Sequence, residues 1–228
     1  MQHLAIIMDG NRRWAKKNKL ASIMGHEKGF GTIETAIDFC IKSNIKYLSI
    51  YAFSLENFNR SEEEKKYLQN LFKKHIKKEL VKFIKNGIRI RFVGDSNYFP
   101  KDLVSLIEDA EEKTKHLDKL NFNILFCYGS RQEVVDATKK IAQSVKDGLL
   151  DVDEINEKKL EDNLWTKGIP NPDLILRTGG DLRLSNFLLF QAAYSELEFL
   201  DCFWPEITNE HLQKCLDKFK KKKRNFGV

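Results

Sequence analysis

The chain is poor in the features that would tie it to a specialised class. Its four cysteines, Cys40, Cys127, Cys202 and Cys215, are widely spaced and form no Cys-x-x-Cys pair, which argues against a zinc site and a disulfide framework. Reduced, buried thiols are the expectation. No stretch approaches the roughly 20 consecutive apolar residues that a membrane helix needs. The first apolar run, Leu4 to Met8, lacks a basic lead-in and stops at Asp9, so it is too short for a signal peptide and a cytoplasmic protein is expected. There is no Pro/Gly/Ser-rich linker, low-complexity tract or internal repeat, and the expectation is a single domain over residues 1–228. The Gly-x-x-x-x-Gly-Lys-Ser/Thr and Gly-x-Gly-x-x-Gly patterns are also missing, which weighs against a nucleotide enzyme.

What is present describes an ordinary globular protein. The 228 residues are 42% hydrophobic and 32% charged, enough to bury a core without covalent staples. The formal net charge of +6 favours anionic partners such as phosphates, nucleic acid or acidic lipid, without choosing among them.

Apolar runs of strand length alternate with segments of helical period, the order expected of an α/β protein whose parallel sheet is wrapped by crossover helices. Six strands are predicted: His3 to Met8, Lys46 to Phe53, Ile88 to Gly94, Asn121 to Tyr128, Asp173 to Arg177 and Glu196 to Leu200. Helices are predicted at Gly25 to Lys42, Ser61 to Lys85, Lys101 to His116, Gln132 to Lys146, Val152 to Asn163, Asn186 to Ala193 and Asn209 to Lys223. The clearest is the second, with Ser61 and Glu64 as a capping box and Asn86-Gly87 as its stop. Its stripe of Leu68, Leu71, Phe72, Ile76, Leu80, Phe83 and Ile84 either packs on the sheet or lines a greasy cavity.

Ligands of open parallel sheets bind beyond the carboxyl ends of the strands. Three such junctions are unusually polar. They are Asp9 to Trp14, Ser54 to Arg60, which includes Leu55, and Arg177 to Asn186, which includes Leu184. The first has the parts of a phosphate cradle: Gly10 for close backbone approach, helix N-terminal amides, and the guanidinium forks of Arg12 and Arg13. A carboxylate among those cations makes sense if a divalent ion, Mg²⁺ by its habit of bridging a carboxylate to phosphate oxygens, lies between Asp9 and the substrate. The spacing leaves a second reading open, in which Asp9 and Asn11 cap the helix. In the last junction Arg177 and Arg183, two glycines and Ser185 suit a second anion, so one large polyphosphate or two phosphorylated substrates are implied.

Met8 to Trp14, Tyr51 to Arg60, Tyr128 to Arg131, Arg177 to Glu196 and Arg224 to Gly227 resemble, in order and spacing, the signature blocks of the bacterial undecaprenyl diphosphate synthases, which are cis-prenyltransferases. The resemblance spans essentially the whole chain. It implies a six-stranded, mainly parallel sheet surrounded by helices, with a hydrophobic tunnel. It implies a Mg²⁺-dependent transferase of isoprenoid biosynthesis that condenses isopentenyl diphosphate with an allylic diphosphate, such as farnesyl diphosphate. The implied product is undecaprenyl diphosphate, precursor of the cell-wall lipid carrier. By the same resemblance Asp9 and Asn57 are catalytic, and Asp9 and Glu196 are linked to the metal. Gly10, Asn11, Arg12, Arg13, Trp14, Ser22 and His26 surround the starter. Ser54, Leu55, Glu56, Phe58 and Arg60 support substrate binding, and Arg177, Arg183, Leu184 and Ser185 form the isopentenyl diphosphate site. His26 has a second reading as a satisfied helix-start histidine. The Leu68 to Ile84 stripe, Ala52 and Leu120 are expected to line the tunnel. A homodimer, peripheral contact with lipid at the inner membrane face and no nucleic-acid partner complete the implied picture.

The sequence departs from the family pattern at Arg12, where Gly is usual, at Ser22, where a phosphate-binding Arg is common, and at Phe58, where Trp is common. Cys127 and Ser130 replace the usual Asn and Gly. These departures bear on affinity for the starter. The basic run Lys220 to Arg224 is read as a solvated helix end, a lipid contact, or, with Gly227, part of a partner subunit's site. A nucleic-acid-binding module and a non-catalytic partner subunit are the competing readings. The first lacks an aromatic stacking ladder, and joint retention of Asp9, Asn57, Arg177 and Arg183 counts against the second.

Overall fold

A computed structural model describes residues 1–59 and 61–222. Six strands, β1 (His3–Ile7), β2 (Tyr47–Ser54), β3 (Ile88–Val93), β4 (Leu120–Tyr128), β5 (Leu174–Arg177) and β6 (Glu196–Phe199), form one sheet in the order β3-β4-β2-β1-β5-β6. Every pairing is parallel. Seven α-helices surround it among the described residues: α1 (Asn11–Lys17), α2 (Ser22–Lys42), α3 (Glu62–Lys85), α4 (Lys101–Thr114), α5 (Ser130–Lys146), α6 (Glu157–Glu161) and α7 (Asn209–Lys221).

Strand β1 shows why the sheet is buried on both faces. All five of its residues are buried. Leu4 and Ile6 join the core beneath α2, α3, α4 and α7, whereas Ala5 and Ile7 join the opposite cluster with Tyr128, Phe187 and Trp165. Period-two alternation with apolar residues on both sides is what a covered parallel sheet demands. The last predicted helix runs into residue 223, which lies outside the described residues, as do Arg60, Arg224 and Gly227.

The predicted elements are recovered with three differences. The helix whose N-terminal amides follow Gly10, given no bounds above, spans residues 11–17 as α1 and is entered through Gly10 at φ 101°. The segment Val152 to Asn163 divides into a 3₁₀ turn at Val152–Glu154 and the short α6, each with its own polar cap at Asp151 and Asn156. Asn186 to Ala193 is not a helix but a series of turns. Ser185, Asn186 and Leu188 have φ of 49°, 65° and 46°, and left-handed residues cannot propagate a right-handed helix. The turn is held from outside: the Arg131 amide donates to Asn186 Oδ1 at 2.9 Å, and the Leu189 amide donates to Ser130 Oγ at 3.0 Å.

The β2–β4 register shifts between Tyr51 and Ser54, and Cys127 opposite this irregularity has φ 51°. Asn tolerates that left-handed geometry better than Cys, so the departure at 127 carries a backbone cost. The irregularity lies at the carboxyl end of β2, and sheet rims are a common place for bulges.

At the opposite end of β1 lies a buried histidine. His3 Nδ1 is 2.7 Å from the Pro170 carbonyl, so that nitrogen carries the proton, and Nε2 at 2.7 Å accepts from Ser49 Oγ. Burial lowers its pKa to about 4 from 6.5, against smaller opposing effects of the Pro170 carbonyl and Asp173. The unfolded chain therefore binds a proton that the folded chain refuses between these values. The neutral state favours folding fully above pH 6.5, and that contribution is lost as pH falls toward 4, amounting to about 3 kcal/mol. Urea titrations of the parent and His3→Gln between pH 7.5 and 4.5 should show the parent losing stability more steeply by roughly this amount; parallel curves would remove His3 from the pH response.

Candidate active site

The three polar junctions follow β1, β2 and β5, which lie side by side in the sheet. Parallel strands deliver their carboxyl ends to one rim, so segments distant in sequence meet there.

At the centre is an ionic lattice. Arg177 Nη2 donates to Asp9 Oδ2 at 2.8 Å, and Arg13 Nη2 lies 3.1 Å from Asp9 Oδ1. Arg177 Nη1 donates to Ser185 Oγ at 2.8 Å and to the Arg183 carbonyl. Arg13 also donates to the Gly179 carbonyl at 2.8 Å and to Asp181 at 3.2 Å, and Arg183 donates to the other Asp181 oxygen at 3.0 Å. Arg177 is only 5% exposed, whereas Arg13 and Arg183 are 45% and 60% exposed. Burial alone would raise the pKa of Asp9, but hydrogen bonds from Arg177 and Arg13 outweigh it and hold the carboxyl below its usual range. The result is an ionised carboxylate, partly open, with fixed cations on both sides.

The backbone has been shaped to allow this. Thr178 Oγ1 and the Trp204 amide both donate to the Asp9 carbonyl, at 2.7 and 2.9 Å. Gly179 has φ 91°, and a Cβ there would lie 2.6 Å from Arg13 Nη2 and 3.3 Å from Asp9 Cγ. Glycine is required both for that left-handed backbone and for the space the ion pair fills.

From this rim a cavity of about 860 Å³ leads inward, in the upper part of the ~300–1,000 Å³ common for ligand sites. Its mouth is polar, with Asp9, Gly10, Asn11, Arg12, Arg13 and Lys16; its interior is apolar, with Ile33, Leu68, Phe72 and Phe126. Ser22, His26, Ala52 and Asn57 also line it. Arg12 is 60% exposed and reaches Glu64 of α3 at 3.8 Å across the mouth. The Ser54 amide donates to Asn57 Oδ1 at 3.2 Å, which holds the Asn57 amide in place.

Other predicted site residues stand outside the cavity wall. Trp14 is half-buried on α1, and Leu184 packs with the second core cluster. Arg177, Arg183 and Ser185 belong to the lattice beside the mouth rather than to the lining. Glu56 accepts from Asn186 Nδ2 at 2.8 Å, and Phe58 packs edge-on against Phe53 at 5.2 Å. Among the stripe residues of α3, Leu68 and Phe72 line this cavity, but Leu71 and Leu80 are buried away from it and Ile84 is 37% exposed. Leu120 is fully buried core and does not line the cavity, because β4 presents it at its amino end, remote from the rim.

Glu196 is the clear displacement from expectation. It pairs with Leu174, which pairs with Leu4, whereas Arg177 pairs with Ile7 beside Asp9. Three strand residues, about 10 Å at ~3.3 Å each, separate it from the substrate rim, and its carboxylate is paired with Lys222. Within one chain Glu196 and Asp9 cannot hold one ion. Asp9 has the chemistry to hold Mg²⁺: it is ionised and partly accessible at the cavity mouth. No group of three or more metal-binding side chains converges among the described residues.

The sequence reading did not single out Asp181, which bridges Arg13, Arg177 and Arg183 at 3.2, 3.8 and 3.0 Å. Its position between Arg177 and Arg183 within one block was the available signal. Tyr51, which opens the Tyr51 to Arg60 block but had no role assigned to it, lines the site and donates its hydroxyl to the Tyr128 carbonyl at 3.2 Å; Phe30 also lines it, with no local motif to mark it.

An open parallel α/β sheet with a cationic, carboxylate-bearing rim and a deep apolar bore defines an enzyme for a molecule with an anionic head and a hydrocarbon tail. The comparisons narrow the class. The family model described as "Putative undecaprenyl diphosphate synthase" matches residues 7–227. The isoprenyl transferase of Clostridium perfringens (strain 13 / Type A) is 43% identical over 226 residues, covering 99% of this chain and 89% of the relative. The ditrans,polycis-undecaprenyl-diphosphate synthase ((2E,6E)-farnesyl-diphosphate specific) of Legionella pneumophila (strain Paris) is 40% identical over 226 residues, covering 99% and 95%. Among solved structures, lavandulyl diphosphate synthase from Lavandula x intermedia, in complex with dimethylallyl diphosphate, superposes with a TM-score of 0.97 at 32% identity, covering 100% of this chain and 98% of that one. The chain belongs to the undecaprenyl diphosphate synthase family and is a cis-prenyltransferase.

Gly179→Ala provides a geometric test of the rim. Alanine at positive φ costs roughly 1–2 kcal/mol, a fall of a few degrees in Tm for a chain of this size. The added methyl must also push Arg13 from Asp9, and misplacement of about 1 Å can cost on the order of 10²-fold in turnover. Prenyl-transfer assays should show that loss in a variant that still melts cooperatively; near-parental turnover would mean the Arg13–Asp9 contact is dispensable.

Proposed function

We propose that the chain is a single-domain, Mg²⁺-dependent synthase that adds isopentenyl diphosphate units in cis configuration to farnesyl diphosphate. The proposed product is undecaprenyl diphosphate, the lipid-carrier precursor for cell-wall glycan synthesis. The observation that carries this reading is the unbroken passage from the ionised Asp9 and the guanidinium of Arg13 to an interior walled by Ile33, Leu68 and Phe126. A diphosphate head and a growing polyprenyl tail fit its two ends. Farnesyl diphosphate as starter is favoured by the specificity named for the Legionella relative.

Asp9 would hold the ion, which when bound neutralises charge on the departing diphosphate. The chain's own contribution is preorganised: Arg13, Arg12, the amides after Gly10 and the polar wall at Asn11, Ser22 and His26 receive the starter's head. Each hydrogen bond to a charged oxygen contributes roughly 1.5–3 kcal/mol. Breaking the allylic carbon–oxygen bond places negative charge on oxygens these groups already face. The isopentenyl double bond then attacks the allylic carbon, and a proton leaves to restore an alkene.

Arg177 turns its two Nη groups to Asp9, Ser185 and the Arg183 carbonyl, so its proposed role is to orient Asp9 and Ser185. The more exposed Arg183, with Arg13, would meet the isopentenyl diphosphate. An amide is a poor base, so Asn57, pinned by the Ser54 amide, is proposed to orient or relay the proton toward Ser54 or a phosphate oxygen. Glu56, Phe58 and Arg60 would support this segment, and Glu196 would act away from the Asp9 ion.

The chain is further proposed to act as a cytoplasmic homodimer that touches lipid through its product. Support for the dimer is the edge strand β6, where Leu197 is 40% exposed, with Tyr194 and Leu182 at 72% and 75% nearby in sequence. Exposed apolar side chains on a sheet edge invite pairing. No described helix is long and apolar enough to cross a membrane.

Incubation with farnesyl diphosphate, labelled isopentenyl diphosphate and Mg²⁺, followed by sizing of the lipid, should yield a long polyprenyl diphosphate and lose it on chelation. Absence of incorporation would refute the reading. In the same assay Asn57→Ala should slow turnover by about 10²-fold or more, and undiminished turnover would cancel its proton role. Ala52→Leu, which narrows the bore, should shorten the products, with unchanged lengths counting against the bore as the path of elongation.

A further inference from the structure

Beside the main cavity lies a second, partly open pocket of about 50 Å³ between α2, α3 and the sheet. Its walls are largely aliphatic and aromatic, with Ile37, Ile50, Ile76, Phe83, Phe122 and Ile124. Three residues, Phe30, Ile33 and Phe72, face both spaces. The two spaces therefore share a wall to which these three residues contribute.

The separating side chains are unequally held. Phe72 is 5% exposed, stacked on Phe126 at 4.8 Å and edge-on to Phe92 at 5.7 Å. Phe30 is only half-buried; its ring lies flat on His75 at 4.3 Å and meets Phe72 edge-on at 6.2 Å. A ring clamped by two aromatics from strands resists rotation, whereas one laid on a helix side chain at the boundary can slide aside. Burial, aided by Lys78, lowers the pKa of His75 below its ordinary value, so its ring is neutral and can meet hydrocarbon without burying a charge.

We infer that Phe30, backed by His75 and hinged against Phe72, is a movable partition between two chambers of one product tunnel, and that it sets how many isoprene units are added before release. This rests on the chain-elongation reading above. When a growing tail fills the first chamber, the next five-carbon unit either displaces the Phe30 ring and enters the second chamber or stalls against it. The second chamber has its own stop. Glu34 of α2 is bridged to Lys82 of α3 at 2.5 Å, and Glu34 and the 8% exposed Glu79 form its polar end. An alkyl chain gains nothing by pressing on polar carboxyl groups.

The test is the product distribution from farnesyl diphosphate, labelled isopentenyl diphosphate and Mg²⁺, resolved by mass spectrometry and paired with thermal melts. Phe30→Ala should move the main product upward by at least one five-carbon unit. Adding Ile37→Phe, which fills the second chamber, should return it to the parental length. Should the alanine variant not fold, Phe30→Leu is read by the same criterion. A distribution that stays in place or moves to shorter products with a folded Phe30 variant overturns the partition while leaving the transferase intact. A parent protein that makes no polyprenyl product overturns elongation itself, and the partition with it.

Discussion

The contact between Asp9 and Arg177 joins the halves of this protein's chemistry. A guanidinium that is 5% exposed must be paired, because leaving it alone in the interior costs several kcal/mol. Its partners are a carboxylate after β1 and a hydroxyl and carbonyl from the turn after β5. Satisfying one cation therefore locks two junctions that are 168 residues apart into one geometry. Arg13, Asp181 and Arg183 then arrange themselves around the fixed pair, and the ionised state of Asp9 follows from the same contacts. A rim built this way holds its cations in place before an anion arrives, the property that electrostatic catalysis demands.

The hydrocarbon end depends on a different constraint. Helix α3 must cover the sheet and also leave a bore, so its apolar stripe is divided by depth. Leu71 and Leu80 seal the core, whereas Leu68 and Phe72 stand at the cavity wall. Nothing in hydrophobic periodicity separates these tasks, since a side chain facing a dry bore and one facing a β-strand are both withheld from water. The division was visible only once α2 and β2 supplied the opposing wall.

Family resemblance and tertiary placement disagree instructively at Glu196. The motif order sets it with the metal-linked residues, yet strand register sends it to the far end of β6, paired with Lys222. Asp181, which lies in the Arg177 to Glu196 block but had no role assigned to it, sits instead among the arginines. A spacing pattern along the chain records which residues travel together. It does not record which rim of a sheet they reach, since that turns on whether a residue begins a strand or follows one.

The amino-acid sequence by itself determined the parallel α/β architecture, all six strands and the polar junctions after β1, β2 and β5, because burial on both faces and helix capping are written in local periodicity. It also carried the family, through blocks that span the chain. Only the tertiary structure decided that residues 186–193 turn instead of coiling, that Leu120 is core, and that Phe30 faces two cavities. These outcomes depend on contacts between segments remote in sequence, such as Asn186 with Arg131 and Phe30 with His75. The physical reason is that local sequence sets which face of an element avoids water, whereas the neighbour that meets that face is chosen by packing across the whole chain.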